Sequence, residues 1–170
     1  QPMNSPSGRF MIVFNGEIYN HNDLRKKLPQ RNYHGTSDTE TITHALDVWG
    51  MRETVDALDG MFALAIYDTA EKTLSLVRDF AGIKPLFFGN QNGQIVFGSQ
   101  YDQVQRHPLF TGMAINPKVL KLYLKQHFMP APFGLHQNMH KLRPGEIITF
   151  FEDGEKKKTR FWEMPATVQK

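Results

Sequence analysis

The sequence predicts an α+β fold in which mostly antiparallel sheets pack sheet on sheet, with helices outside. Three observations carry this. Short apolar runs bounded by turn signals recur, as at Phe10–Phe14 and Met61–Tyr67. Asn92-Gly93 and Asp153-Gly154 each sit between strand-like segments, the signal of a hairpin. The clearest helix is one segment beginning at Ser37, where apolar residues fall at helical spacing.

Taken in order, Phe10–Phe14 reads as a buried strand that ends in a tight turn at Asn15-Gly16. Asn20 or Asn22 then caps a short helix over Asp23–Leu28, which Pro29 stops. Ser37-Asp38-Thr39-Glu40 has the form of a capping box, Ser at the cap and Glu three residues on. Ile42, Ala45, Leu46 and Trp49 follow as an apolar stripe that ends at Gly50. Met61–Tyr67 is apolar at almost every residue, which predicts a strand buried on both faces. Asp68–Lys72 turns it into Thr73–Val77, its hairpin partner. Leu86–Gly89 and Gln94–Phe97 form a second hairpin, and a helix with proline at its first position runs from Asn116-Pro117 to Gln126. An irregular stretch between Pro130-Ala131-Pro132 and Arg143-Pro144-Gly145 leads to a last hairpin, Glu146–Phe151 with Lys157–Trp162.

At 170 residues the length prior predicts a single domain, and 13 Phe, 5 Tyr and 2 Trp are ample for a core, which excludes wholesale disorder. The longest apolar run is Met61–Tyr67, far below the roughly 20 residues of a membrane-spanning helix, so no membrane partner is expected. The chain has no cysteine, which excludes a disulfide scaffold, a thiolate metal site and a cysteine nucleophile among these residues. The net charge is +3: residues 1–100 carry 9 Lys and Arg against 11 Asp and Glu, and residues 101–170 carry 11 against 6. Lys118, Lys121 and Lys125 recur at helical spacing, so the basic excess reads as a solvated helix face, with no nucleic-acid partner expected.

Chemistry is best placed at Asn15-Gly16-Glu17. A Gly16 N–H and an Asn15 amide exposed on one side would supply the two donors an oxyanion hole requires, with Glu17 beside them to hold a cation such as an amino group. The dipeptide alone is more often a plain turn. Asp38 is favoured at the start of its helix by the helix dipole, and serves a site only if it faces the same pocket as Glu17. Arg78-Asp79-Phe80-Ala81-Gly82-Ile83-Lys84-Pro85 reads as a structural loop pinned by an ion pair. His136 and His140 have a zinc-like spacing but no Cys partners, so an incidental pair is expected and no metal site is assigned.

Four motifs occur in order: FNGEIYNH (Phe14–His21), SDTET (Ser37–Thr41), LDGMFALAIYD (Leu58–Asp68) and RDFAGIKPLFF (Arg78–Phe88). Together they resemble the glutaminase domain of glutamine-hydrolysing asparagine synthetase, a class II glutamine amidotransferase with the N-terminal nucleophile (Ntn) hydrolase fold. Residues Asn116–Trp162, with Pro130–Pro132 and Lys141–Glu146, resemble the stretch leading toward the synthetase domain. The resemblance implies that residues 1–153 are a partial glutamine amidotransferase type 2 domain, lacking its N-terminal segment. Residues 154–170 are then the final strand and the start of a linker.

The implied chemistry is hydrolysis of glutamine to glutamate and ammonia by an N-terminal cysteine lying upstream of this sequence. Asn15 and Gly16 hold the oxyanion, and Glu17 and Asp38 bind the amino end of glutamine. No cofactor is implied for this domain; ATP and Mg belong to the C-terminal synthetase domain, which amidates aspartate. The implied setting is cytoplasmic, and a homodimer is compatible with it. An arginine that binds the glutamine carboxylate also lies upstream, and Ser99-Gln100 stands where the family usually has Ser-Glu. The competing reading is a non-catalytic binding module of the same fold, as in β-lactam synthetase-like relatives. A third is an amidotransferase for a sugar phosphate or phosphoribosyl substrate.

Overall fold

A computed structural model describes residues 1–29 and 33–163. In chain order the elements are β1 (Met3–Asn4), β2 (Phe10–Ile18), α1 (His21–Lys27), α2 (Asp38–Ala57), β3 (Gly60–Asp68), β4 (Thr73–Arg78), β5 (Phe87–Gln91), β6 (Gln94–Gly98), α3 (Tyr101–Gln105), α4 (Pro117–Gln126), β7 (Met139–Lys141), β8 (Glu146–Phe150) and β9 (Lys156–Arg160). They fall into two compact units where length alone predicts one: Gln1–Ile83 with the chain from Pro144 onward, and Lys84–Arg143.

The first unit is built on an antiparallel sheet in the order β1-β2-β3-β4-β8-β9. Strand β3 is its spine, and seven of its nine residues are buried, as its unbroken apolar run requires. Strand β2 alternates instead. Phe10, Ile12, Phe14 and Ile18 face inward, while Met11, Val13, Asn15 and Glu17 face out. The buried face packs with Phe62, Leu64 and Ile66 of β3 against Leu24 of α1 and Ile42, Leu46 and Val55 of α2. Each such side chain contributes about 1.5–3 kcal/mol relative to exposure.

Helix α2 begins as its cap predicts, with the Ser37 hydroxyl accepting from the Glu40 N–H at 3.2 Å. It does not end at Gly50. That residue leaves helical geometry (φ 76°, ψ 176°), and the chain then resumes a short helical stretch to Ala57. Asn20 stands at the N-cap of α1, but its side chain is used elsewhere: it donates to the Ala57 carbonyl (2.9 Å) and accepts from the Asp59 N–H (3.1 Å). It thereby joins the end of β2 to the start of β3.

The second unit holds a small sheet in the order β6-β5-β7. Asn92 and Gly93 both adopt positive φ (52° and 77°) and turn β5 into β6. The stretch read as irregular contributes β7, which pairs with β5 through Gly89↔Met139 and Phe87↔Lys141. Short α3 was not foreseen either; Gln100, the departure noted above, stands at its N-cap. Asn116 caps α4 through the N–H groups of Lys118 and Val119, and Lys118, Lys121 and Lys125 are exposed along it. Among the described residues no helix is long and apolar enough to cross a membrane. The linker expected at the C-terminal end reaches residues 164–170, which lie outside the described residues.

Candidate active site

Asn15-Gly16 is not a turn. Both residues lie in the β2 ladder, Asn15 opposite Ala63 and Gly16 opposite Phe62. Antiparallel pairing alternates between residues that exchange hydrogen bonds and closer pairs that do not. Phe62 turns its N–H and C=O to the far side, toward Asp79, so Gly16 and Phe62 form a close pair. A Cβ on Gly16 would lie 2.2 Å from the Met61 carbonyl oxygen and 2.7 Å from the Phe62 Cα. Only glycine admits that approach.

The same alternation sends the Gly16 N–H outward, to the edge of β2 away from β3. Its neighbours in this series show what the edge offers. The Phe14 N–H donates to Gln1 Oε1 (2.6 Å) and the Ile18 N–H to Asp38 Oδ2 (3.0 Å). The Gly16 donor lies between them. Asn15 and Glu17 stand on the exposed face of the strand, two residues apart.

Asp38, at the first position of α2, therefore meets the end of β2 one residue beyond Glu17. Its other oxygen accepts from the Thr39 N–H (2.7 Å). A carboxylate has about four acceptor positions, so these bonds fix Asp38 without exhausting it. Sequence periodicity does not reveal this meeting of strand end and helix start; the twenty-residue separation hides it.

Behind Asp38 lies a network that the capping-box signature does not describe. The Glu40 carboxylate reaches back past the cap to the N–H groups of His34 (2.6 Å) and Gly35 (3.0 Å). Arg25 donates to the carbonyls of Gly35 (2.9 Å) and Ser37 (2.8 Å) and to Thr41 Oγ1 (2.7 Å), and covers the Tyr33 ring at 4.0 Å. Burial alone would raise the Glu40 pKa, but the His34 and Gly35 N–H bonds and the Arg25 charge outweigh it and hold the carboxyl below its usual range. No spacing in the sequence links Arg25 to this loop.

The Arg78–Asp79 loop is pinned by bonds from charged side chains to main chain. Asp79, fully buried, accepts from the N–H groups of Ala81 (3.1 Å) and Ile83 (2.9 Å), and Arg78 donates to the Gly82 carbonyl. In the second unit His136 Nδ1 bonds the Tyr101 hydroxyl (2.8 Å), and the His140 ring packs at a tilt against Phe88. The two histidines thus have separate partners. Among the described residues no group of three or more His, Cys, Asp or Glu is placed to hold a metal. A cavity of about 960 Å³ lies between β1 and the first turns of α2, lined by Met3, Ser37, Glu40 and His44 among others. None of Asn15, Gly16, Glu17 and Asp38 lines it, so the cavity and the four residues singled out in the sequence are separate features.

A family model described as a glutamine amidotransferase domain matches residues 1–162. Glutamine-hydrolyzing asparagine synthetase 3 of Bacillus subtilis (strain 168) is 34% identical over 152 residues, 85% of this chain and 24% of the relative. Glutamine-hydrolyzing asparagine synthetase 1 of the same organism is 31% identical over 156 residues, 91% of this chain and again 24% of the relative. The chain spans about a quarter of the length of these curated relatives. Among solved structures, the glutamine phosphoribosylpyrophosphate amidotransferase of B. subtilis, complexed with ADP and GMP, superposes with a TM-score of 0.65 at 20% identity, covering 95% of this chain and 32% of that one. At that identity the likeness is one of fold: an α+β Ntn-hydrolase fold of mostly antiparallel sheets with helices.

Proposed function

Because the chain belongs to the glutamine amidotransferase domain family, we propose that it is the glutamine-hydrolysing part of an asparagine synthetase-like enzyme, with Asn15, Gly16, Glu17 and Asp38 as its substrate-facing residues. The observation that carries the reading is the edge of β2. The register there turns the Gly16 N–H away from β3, with Asn15 and Glu17 on the exposed face to either side in sequence and Asp38 anchored on the same edge at Ile18.

The reaction follows from those groups. A cysteine from a segment outside this sequence gives its thiol proton to its own α-amino group and attacks the side-chain amide carbon of glutamine. The C=O π electrons move onto oxygen, and the Gly16 N–H and the Asn15 amide are the two donors assigned to stabilise that charge. When the tetrahedral intermediate collapses, the amide nitrogen takes the proton and leaves as ammonia. Water then cleaves the thioester to give glutamate. Glu17 and Asp38, two carboxylates near one strand end, suit the α-ammonium group of the substrate, to which charge-assisted hydrogen bonds are the strong ones. The wider protein would supply a synthetase domain that uses ATP and Mg to amidate aspartate. Its compartment by the same analogy is the cytoplasm. Residues 1–153 with the final strand would be the glutaminase portion, leading into a linker.

The test is Asn15→Ala in the full-length protein. An oxyanion donor acts in the transition state, so glutamine hydrolysis should fall by about 10²–10³ in kcat with glutamine affinity little changed. Ammonia-dependent synthesis should survive, since it bypasses this site. Unchanged glutaminase activity overturns the assignment. A full-length protein that binds glutamine and never hydrolyses it would favour the non-catalytic module instead.

A further inference from the structure

We propose that Asp79 is a positioning residue for glutamine hydrolysis: it fixes Phe62, and through Phe62 the Gly16 N–H. The proposal rests on the reading of Gly16 as an oxyanion donor. It starts from a buried carboxylate that the reaction itself leaves unused.

Strand β4 ends at Arg78, and the next rung of the β3–β4 ladder falls on Phe62 and Asp79. Half of that rung is ordinary: the Asp79 N–H donates to the Phe62 carbonyl at 2.9 Å. In the other half the Asp79 main-chain carbonyl is engaged elsewhere, by the N–H groups of Gly82 (3.1 Å) and Gly145 (3.0 Å). The Asp79 side chain replaces it, Oδ2 accepting from the Phe62 N–H at 3.3 Å. A carboxylate thus completes the ladder where the chain turns away. On its other side Phe62 faces Gly16 at a separation that excludes even a methyl group. Close-packed backbone transmits displacement with little slack, so a shift of Phe62 carries Gly16 with it. The motif that the sequence reads as a mere loop is thereby joined, by one hydrogen-bonded rung and one tight contact, to the proposed site.

A residue that aims a transition-state donor has a distinctive kinetic signature. In the full-length protein Asp79→Asn and Asp79→Ser keep an acceptor oxygen but lose the charge that serves Phe62, Ala81 and Ile83 together. The expected result is a fall of about 10–10²-fold in kcat for glutamine hydrolysis, with the KM for glutamine within about twofold, because Glu17 and Asp38 lie on other contacts. A rise in KM at unchanged kcat overturns the proposal, as does full activity in both variants. Loss of the cooperative melt in both variants overturns it too, since the carboxylate would then serve the fold at large. Asn15→Ala, assayed in parallel, separates the two levels. If it loses kcat while the Asp79 variants do not, the oxyanion reading stands and the positioning role falls. If Asn15→Ala keeps kcat, the reading itself has failed.

Discussion

The chain contains the dipeptide Asn-Gly twice, and the two copies meet opposite fates. At Asn92-Gly93 both residues take positive φ and reverse the chain between β5 and β6, as the dipeptide prefers. At Asn15-Gly16 the same two residues run straight through an extended ladder. Local preference decides the first case because Gln91 and Gln94, partly or fully exposed, impose little else. In the second, β3 lies alongside with seven buried residues, and bending at Asn15 would strip Ile18 from the core. The preference of a turn dipeptide is worth a few kcal/mol at most. A buried Ile and the ladder bonds beyond the dipeptide outweigh it. The two glycines are accordingly needed for different reasons: Gly93 for its backbone angle, Gly16 for its missing side chain.

Substitution by alanine breaks the comparison open. Gly16→Ala should have the largest effect on stability, about 3 kcal/mol or more, because its Cβ would meet backbone atoms of Met61 and Phe62 that cannot rotate aside. Gly93→Ala meets nothing within 4 Å and is opposed only by its φ of 77°, for a cost of about 1–2 kcal/mol. Urea unfolding of the two variants, with m unchanged, gives both numbers. Equal costs would mean that β2 and β3 can slide apart at Gly16, and that the tight contact is not a constraint.

The contrast also marks what could be read from the residues alone. Strand β3 was legible because an apolar run seven residues long leaves few other options, and α2 because Ser37 and the Ile42–Trp49 stripe agree. The hairpins followed from turns whose chemistry is local. Strands β1 and β7 and helix α3 have two to five residues each, too few for a period to show. The four candidate residues are named from sequence, Asn15 and Gly16 as donors and Glu17 as a cation ligand from residue type and all four roles from the resemblance, yet their geometry is not. Reading Asn15-Gly16 as a turn gave the Gly16 N–H an outward course for the wrong reason: a strand edge exposes it, where the dipeptide predicts a bend. Arg25, Glu40 and Asp79 were invisible as participants because each acts on main-chain groups far along the chain or across a sheet. A side chain that bonds main chain outside the local motifs of caps and turns leaves no signature in residue type.

A last prediction sharpens the comparison with the smallest effect. The region around Asn15-Gly16 is braced by carboxylates, and the Asn92-Gly93 turn by backbone angle, so acid should separate them. Glu40 has a folded-state pKa below its ordinary 4.5. A carboxyl lowered on folding stabilises the folded state above its unfolded pKa, and that contribution drains away as pH falls from about 4.5 through the lower folded value. Protonation removes the charge that the His34 and Gly35 N–H groups and Arg25 address. Below pH about 4.5 the amides of His34 and Gly35 should therefore lose protection relative to their intrinsic exchange rates. The cross-strand amides of the β5–β6 hairpin should keep theirs. In Glu40→Gln, whose amide does not titrate, His34 and Gly35 should be less protected already at neutral pH and show no further loss on acidification. Exchange measured by mass spectrometry between pH 3 and 6 decides it: if the variant keeps the wild-type pH dependence at these two amides, Glu40 is not the group that braces the loop before Asp38.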